Sequence, residues 1–265
     1  LAIRLVPDSK SAETVSELDE RLLAAPSLAL SRSRAVACEM AQCAVRALNN
    51  ALRSFTEYTD TLARSIRDDE ERCDHYEDIL GTYLVQLSAR KMGVDESEEA
   101  TELLKSIGDF ERISDHAVNI LESAEELRGK SLAFSAAAAR EYDVLAAAIG
   151  EILDLSLRSF ERQDVALAEQ VIDTLKEQMR TRHILRMQQG HCSIEAGFVW
   201  SDLLTNLERT SDHCSNIAGC VIDAAQHNLN LHETLRAAHS DTHAFRSEFQ
   251  RYAAKYALPA PASAQ

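Results

Sequence analysis

Proline stands at only four positions, Pro7, Pro26, Pro259 and Pro261, so everything from Ser27 to Leu258 lacks the residue that most reliably ends a helix. The same stretch is dominated by alanine, leucine, glutamate and arginine, and the apolar–polar alternation of a half-buried strand is missing from it. The chain therefore reads as all-α, built from long helices. Its apolar fraction of 45% is enough for a core. The formal charge of −15 repels a phosphate backbone, so nucleic acid is not an expected partner. No apolar run reaches the roughly 20 residues that span a bilayer. Six cysteines without a Cys-x-x-Cys pair fall inside helical patterns, as free thiols of a reducing compartment would.

The chain contains an internal repeat. Phe110–Asn119 reads F-E-R-I-S-D-H-A-V-N and Leu207–Asn216 reads L-E-R-T-S-D-H-C-S-N, an offset of 97 residues, and flanking apolar positions match at the same offset. Their spacing alternates three and four, which gives each segment one apolar helix seam. Upstream of each lies another seam, through Ile66, Cys73, Tyr76, Leu80, Tyr83 and Leu87 in the first copy and through Val165, Ile172, Leu175 and Met179 in the second. A third helix precedes each, over about Ser31–Tyr58 and Ser135–Phe160. Gly93 and Gly190 fall at the turns, Gly129 at the C-terminal cap of the first copy, and a seventh helix is expected over about Leu231–Tyr256. The predicted organisation is a linker over residues 1–30, three-helix bundles over about 31–130 and 131–229, and a closing helix with a disordered tail over 230–265.

Each copy carries paired carboxylates four residues apart: Glu70 with Asp74, Glu111 with Asp115, Glu169 with Asp173, and Glu208 with Asp212. Every member lies one residue past a seam position. Glu70 with Asp115 and Asp74 with Glu111 share a midpoint between Met92 and Gly93, so a hairpin turning there sets them level. The second copy repeats this register about Gly190. Four carboxylates converging on one surface repel unless protonated or bridged by cations. Oxygen-only donors suit Mg, Mn, Ca or iron. The plainer alternative is a solvated acidic face; four pairs in matched register favour metal. His75, His116 and His213 follow motif aspartates but are rotated by about 100°, which makes them second-sphere or solvent groups. Asn119 and Asn216 continue the stripe, and Arg112 and Arg209 are placed to pair with neighbouring carboxylates.

The segments E-R-I-S-D-H-A-V-N-I (Glu111–Ile120) and N-L-E-R-T-S-D-H-C-S-N-I-A (Asn206–Ala218) resemble the doubled signature of the PhoU family of phosphate-homeostasis proteins, with Ser114 and Ser211 in place of a glycine common in that motif. The resemblance implies two three-helix bundles holding multinuclear metal clusters at the eight carboxylates, of iron or of zinc, manganese, magnesium or calcium. It also implies a non-catalytic regulatory role in phosphate transport. The entry segment Ser16–Leu30, the stretch from Asp202 and the tail Tyr252–Pro259 look like the cytosolic domain fused behind bacterial sodium/phosphate cotransporters. The expected partner is then a phosphate transporter membrane domain, fused or associated, at the inner face of the membrane, with the opening at Leu1 as a junction. A free-standing PhoU-like regulator is the alternative.

Two other classes compete with these. A carboxylate-bridged di-iron oxidase would use Glu-x-x-His on core helices, but the residues three after the motif glutamates are Cys73, Ser114, Ile172 and Ser211. A pure interaction scaffold would leave the acidic faces without metal. The alanine-rich stretch Ala136–Ala148 has no evident cover in the sequence, which leads to the expectation of a homodimer.

Overall fold

The computed structural model describes residues 18–163, 193–226, 251 and 254–257. A 3₁₀ turn, Glu20–Ala24, leads into α1 (Pro26–Arg53), α2 (Asp60–Ser88), α3 (Val94–Gly129), α4 (Ala136–Arg162) and α5 (Ile194–Gln226). No strand occurs among the described residues. None of their helices is long and apolar enough to cross a membrane. Gly190, Glu169, Asp173 and most of the expected seventh helix lie outside the described residues.

Local chemistry sets the boundaries. Pro26 opens α1 because its missing N–H is one of the donors that a first helical turn leaves unpaired. The helix thus starts five residues before Ser31. It ends at Arg53 rather than at Tyr58, since Ser54 donates its hydroxyl to the Ala51 carbonyl and Thr59 already caps α2, accepting from Leu62 N–H at 3.1 Å. Ser135 and Ser193 cap α4 and α5 in the same way. Gly93 precedes α3, and its N–H donates to the Glu96 carboxylate at 2.9 Å. The C-terminal cap read at Gly129 lies two residues later. Gly129 is still helical, and the left-handed residue is Ser131 (φ 53°). Leu132 N–H bonds to the Leu127 carbonyl and Ser131 N–H to that of Arg128, a Schellman closure.

Helices α1, α2 and α3 run up, down and up and pack on one another. Two arginines of α1 anchor the outer helices to it by three ion pairs. Arg46 grips buried Asp69 of α2 with two hydrogen bonds of 2.9 and 2.6 Å, and Arg34 reaches Glu99 and buried Glu102 of α3, both at 2.9 Å. The second unit does not stand apart. Helix α5 packs along α3, and α4 packs on both α5 and α1. One continuous core results, including Met40, Leu48, Ile66, Leu80, Leu103, Phe110, Ile113, Phe160 and Trp200. Aromatic rings close one corner: Phe134 lies 5.8 Å from Phe55 and 4.8 Å from Trp200, and the Tyr142 hydroxyl donates to the Leu52 carbonyl. Ala138, Leu145 and Ala148 of α4 are buried within the chain, whereas Ala136, Ala139 and Ala147 of the same stretch are exposed.

A left-handed conformation costs an L-residue roughly 1–2 kcal/mol, and glycine escapes this cost. Ser131→Gly is therefore expected to raise unfolding stability by about 1 kcal/mol, less glycine's larger entropy loss on folding. Urea denaturation at fixed pH measures it; an unchanged or lower midpoint contradicts the assignment.

Candidate metal centre

The site forms where α2 meets α3. Burial of Ile66, Cys73, Tyr76 and Leu80 on α2, and of Phe110, Ile113 and Ala117 on α3, turns the adjoining residues toward the seam's edge. Asp69, locked to Arg46, holds the rotation of α2 at this level. Carboxylate oxygens of Glu70, Asp74 and Asp115 all lie within 4.8 Å of one another. Glu70 and Asp115 are half-buried and Asp74 is exposed.

Glu111 is not part of that trio. The charges that act on it are those of Asp115 one turn on, Arg112 and Glu77 of α2. Level pairing therefore holds for Glu70 with Asp115 but is not seen for Asp74 with Glu111. The reason is that side chains of packed helices interdigitate instead of meeting head-on. Asp115 approaches both Glu70 and Asp74, and Glu77, on the next turn of α2, acts on Glu111. Glu77 was missed in the sequence, although Glu70, Asp74 and Glu77 follow the i, i+4, i+7 spacing of a single helix face.

The electrostatics are those of an under-compensated acidic cleft. Burial pushes the Glu70 carboxyl above its ordinary value, and Asp74 and Asp115 push it further. Asp74 is raised by burial and then by Asp115 and Asp78. Glu111 is pushed up to about 7 by burial first, then by Asp115 and Glu77, against the opposing pull of Arg112. Arg112 is a loose counter-charge, 3.4 Å from Glu111 and 3.5 Å from Asp115, with its side chain 62% exposed. The pairing expected for Arg112 is thus present but weak. A cleft of oxygen donors in which Glu70, Asp74 and Glu111 have their charged forms disfavoured fits a hard or borderline cation.

In the second repeat Glu208 is half-buried and Asp212 exposed on α5, while Glu169 and Asp173 lie outside the described residues. The histidines diverge from one another. His75 is exposed. His116 and His213 face each other across the two repeats, ring centroids 5.7 Å apart. The Nδ1 of His116 lies 3.0 Å from Asn206 Oδ1, and that of His213 lies 2.8 Å from Asp109 Oδ1. Burial pulls the His116 imidazole below its ordinary value. Asn216 leaves the carboxylate stripe and donates to Asp109 at 3.1 Å, whereas Asn119 is exposed. Arg209 is exposed and its charge acts on His116.

The family model of the PhoU domain matches residues 37–124 and again 143–221, together well over half of the chain. This chain belongs to the PhoU family. Among curated relatives, it is 26% identical over 200 residues to the phosphate-specific transport system accessory protein PhoU homolog 1 of Thermotoga maritima, covering 73% of this chain and 85% of that protein. It is also 26% identical over 182 residues to PhoU homolog 2 of the same organism, covering 63% and 73%. The crystal structure of PhoU from Pseudomonas aeruginosa superposes with a TM-score of 0.70 at 21% identity, over 75% of this chain and 98% of that one. The phosphate transport system regulatory protein PhoU from Streptococcus pneumoniae gives 0.65 at 18%, over 77% and 99%. These structural likenesses establish the all-helical PhoU fold.

The raised Glu111 predicts a pH dependence for metal-free protein. Its folded value near 7 exceeds the unfolded value of about 4.3, so the folded state holds more protons between them. Stability contributed by Glu111 is therefore full below about pH 4 and lost as pH rises through 7. His116, with a lowered value, acts in the opposite sense. The informative quantity is the parent-minus-variant difference for Glu111→Gln, from urea unfolding in chelator; it should decline from pH 4.5 to 7.5, and a flat difference refutes the assignment.

Proposed function

We propose that this chain is a non-catalytic, cation-binding regulator of phosphate transport, acting on the cytoplasmic side as an accessory to a transport system. The observation that carries the cation reading is the convergence of Glu70, Asp74 and Asp115 to within 4.8 Å of one another, with Glu111 beside Asp115. An enzyme would need a nucleophile with a base or an open redox centre, and the carboxylates flank the seam where di-iron oxidases place theirs in the core. Phosphate transport comes from the family and from the accessory role in the names of the Thermotoga relatives. Those names favour the accessory protein over a domain fused to a sodium/phosphate symporter, whose support lay in the entry segment, the stretch from Asp202 and the tail. The corresponding set Glu169, Asp173, Glu208 and Asp212 is proposed as a second site on the strength of the repeat. Iron, manganese, zinc, magnesium and calcium are all candidates, alone or as a cluster. A homodimer would have to use a surface other than the buried side of α4, and light scattering separates one 29.4 kDa chain from two.

Metal analysis of protein purified without chelator tests the proposal, followed by titration of chelated protein with Mn²⁺, Zn²⁺ and Fe²⁺. Cation present at about a hundred times its dissociation constant is expected to stabilise the fold by roughly 2.7 kcal/mol per independent site. Glu111→Gln with Asp115→Asn should remove the first site's share and leave the second. It should also raise metal-free stability slightly by relieving like-charge repulsion. If the double variant binds as much metal as the parent, or no metal raises the melting temperature, the carboxylates are a solvated acidic face.

A further inference from the structure

We propose that the contacts of His116 with Asn206 and of His213 with Asp109 form a joint through which cation binding at the α2–α3 carboxylates is transmitted to α5. The inference rests on the cation reading above. Its basis is that two consecutive residues of α3 point in different directions. Asp115 turns toward Glu70 and Asp74, and His116, rotated by about 100°, is buried against α5. The division holds further up the helix: Glu111, one turn before Asp115, is acted on by Glu77 of α2, and Asp109, two turns before His116, accepts from His213. Two turns of one hydrogen-bonded helix thus carry the carboxylates on one flank and the joint on the other.

The joint is reciprocal. Asp109 and Asn206 are separated by the repeat offset, as are His116 and His213, so each repeat supplies one histidine and one acceptor. The proton positions follow from the partners. Asn206 donates its amide to the Asp202 carbonyl at 2.9 Å, leaving Oδ1 to accept from His116 Nδ1–H. The Asp109 carboxylate accepts from both His213 and Asn216. Around these polar groups the α3–α5 contact is apolar, with Ile113, Ile120, Leu203, Leu207 and Ile217 buried. A buried imidazole that loses its partner is left with an unpaired polar group, so the joint resists opening and slippage. A cation drawing Asp115 toward Glu70 and Asp74 orders the α3 turn that bears His116. Ordering one side of such a contact lowers the cost of ordering the other, and the coupling is reciprocal. The receiving segment of α5 carries Glu208 and Asp212, interleaved with Asn206 and His213 in the same way.

The test uses the full chain with Glu208→Gln and Asp212→Asn, so that α5 lacks its own carboxylate pair. Mn²⁺ binding is followed by calorimetry, and amide hydrogen exchange by mass spectrometry on peptides spanning Asn206–Asn216. Mn²⁺ is expected to slow exchange in these peptides by about fivefold or more, the lower range of typical coupling between sites. Asn206→Ala, added to this background, should abolish the slowing and weaken Mn²⁺ binding by a similar factor. Asn206→Asp, which restores an acceptor of the kind found at Asp109, should recover both. Mn²⁺ binding without slowing in α5, a result that needs no further variant, overturns the joint, as does slowing that survives Asn206→Ala. If Mn²⁺ does not bind the parent chain, Fe²⁺, Zn²⁺, Mg²⁺ and Ca²⁺ are run in its place, and binding of none of the five overturns the cation reading and this inference with it.

Discussion

The apolar seam of α3 is the constraint on which the rest of the molecule depends. Leu103, Phe110, Ile113, Ala117, Ile120 and Leu121 are buried, and this fixes the rotation of a 36-residue helix. With the seam turned inward, helical geometry leaves no choice about the remaining flanks. Glu111 and Asp115 lie beside α2, Asp109 and His116 lie beside α5, and Arg112 and Asn119 are left outside. The α3 helix is therefore both one wall of the carboxylate cleft and the helix on which the second repeat packs. A polar substitution in this seam would disturb both flanks at once.

Two neighbouring acids on α2 show how differently the fold treats structural and candidate functional charge. Asp69 is buried and gripped at two points by Arg46, so its charge is compensated and the pair ties α2 to α1. Glu70, the next residue, faces Asp74 and Asp115, and burial disfavours its charged form. The same contrast holds on α3, where Glu99 and Glu102 pair with Arg34 while Glu111 is held near neutrality's edge at about 7. A fold optimised for stability alone would have no use for under-compensated carboxylates at a helix seam. Compensated acids anchor the bundle; those of the cleft, with exposed Arg112 as a loose counter-charge, are under-compensated and suit a cation.

Much of this was legible in the chain itself. The near-absence of proline and the three–four spacing of apolar residues dictated long helices, because both act through local backbone geometry and through one face of a single helix. The repeat at an offset of 97 residues disclosed the doubled unit, and the Glu-x-x-x-Asp pairs identified which carboxylates share a face. Helix ends were read less well at α1 and at the Gly129 cap, where Pro26, Thr59 and Ser131 decided matters through particular backbone hydrogen bonds.

What the sequence could determine was whatever depends on one helix at a time: class, seam, and the order of groups along a face. Only the tertiary structure decided how faces meet. It brought Asp115 close to both Glu70 and Asp74, left Glu111 out of that trio, and buried Ala138, Leu145 and Ala148 of α4 within the chain. It also turned His116 and His213 from companions of the carboxylates into partners across the repeats. Interhelical register depends on how side chains from two helices interlock, and the rotation of one unit against another depends on the whole core, so neither is encoded in the spacing of any single segment.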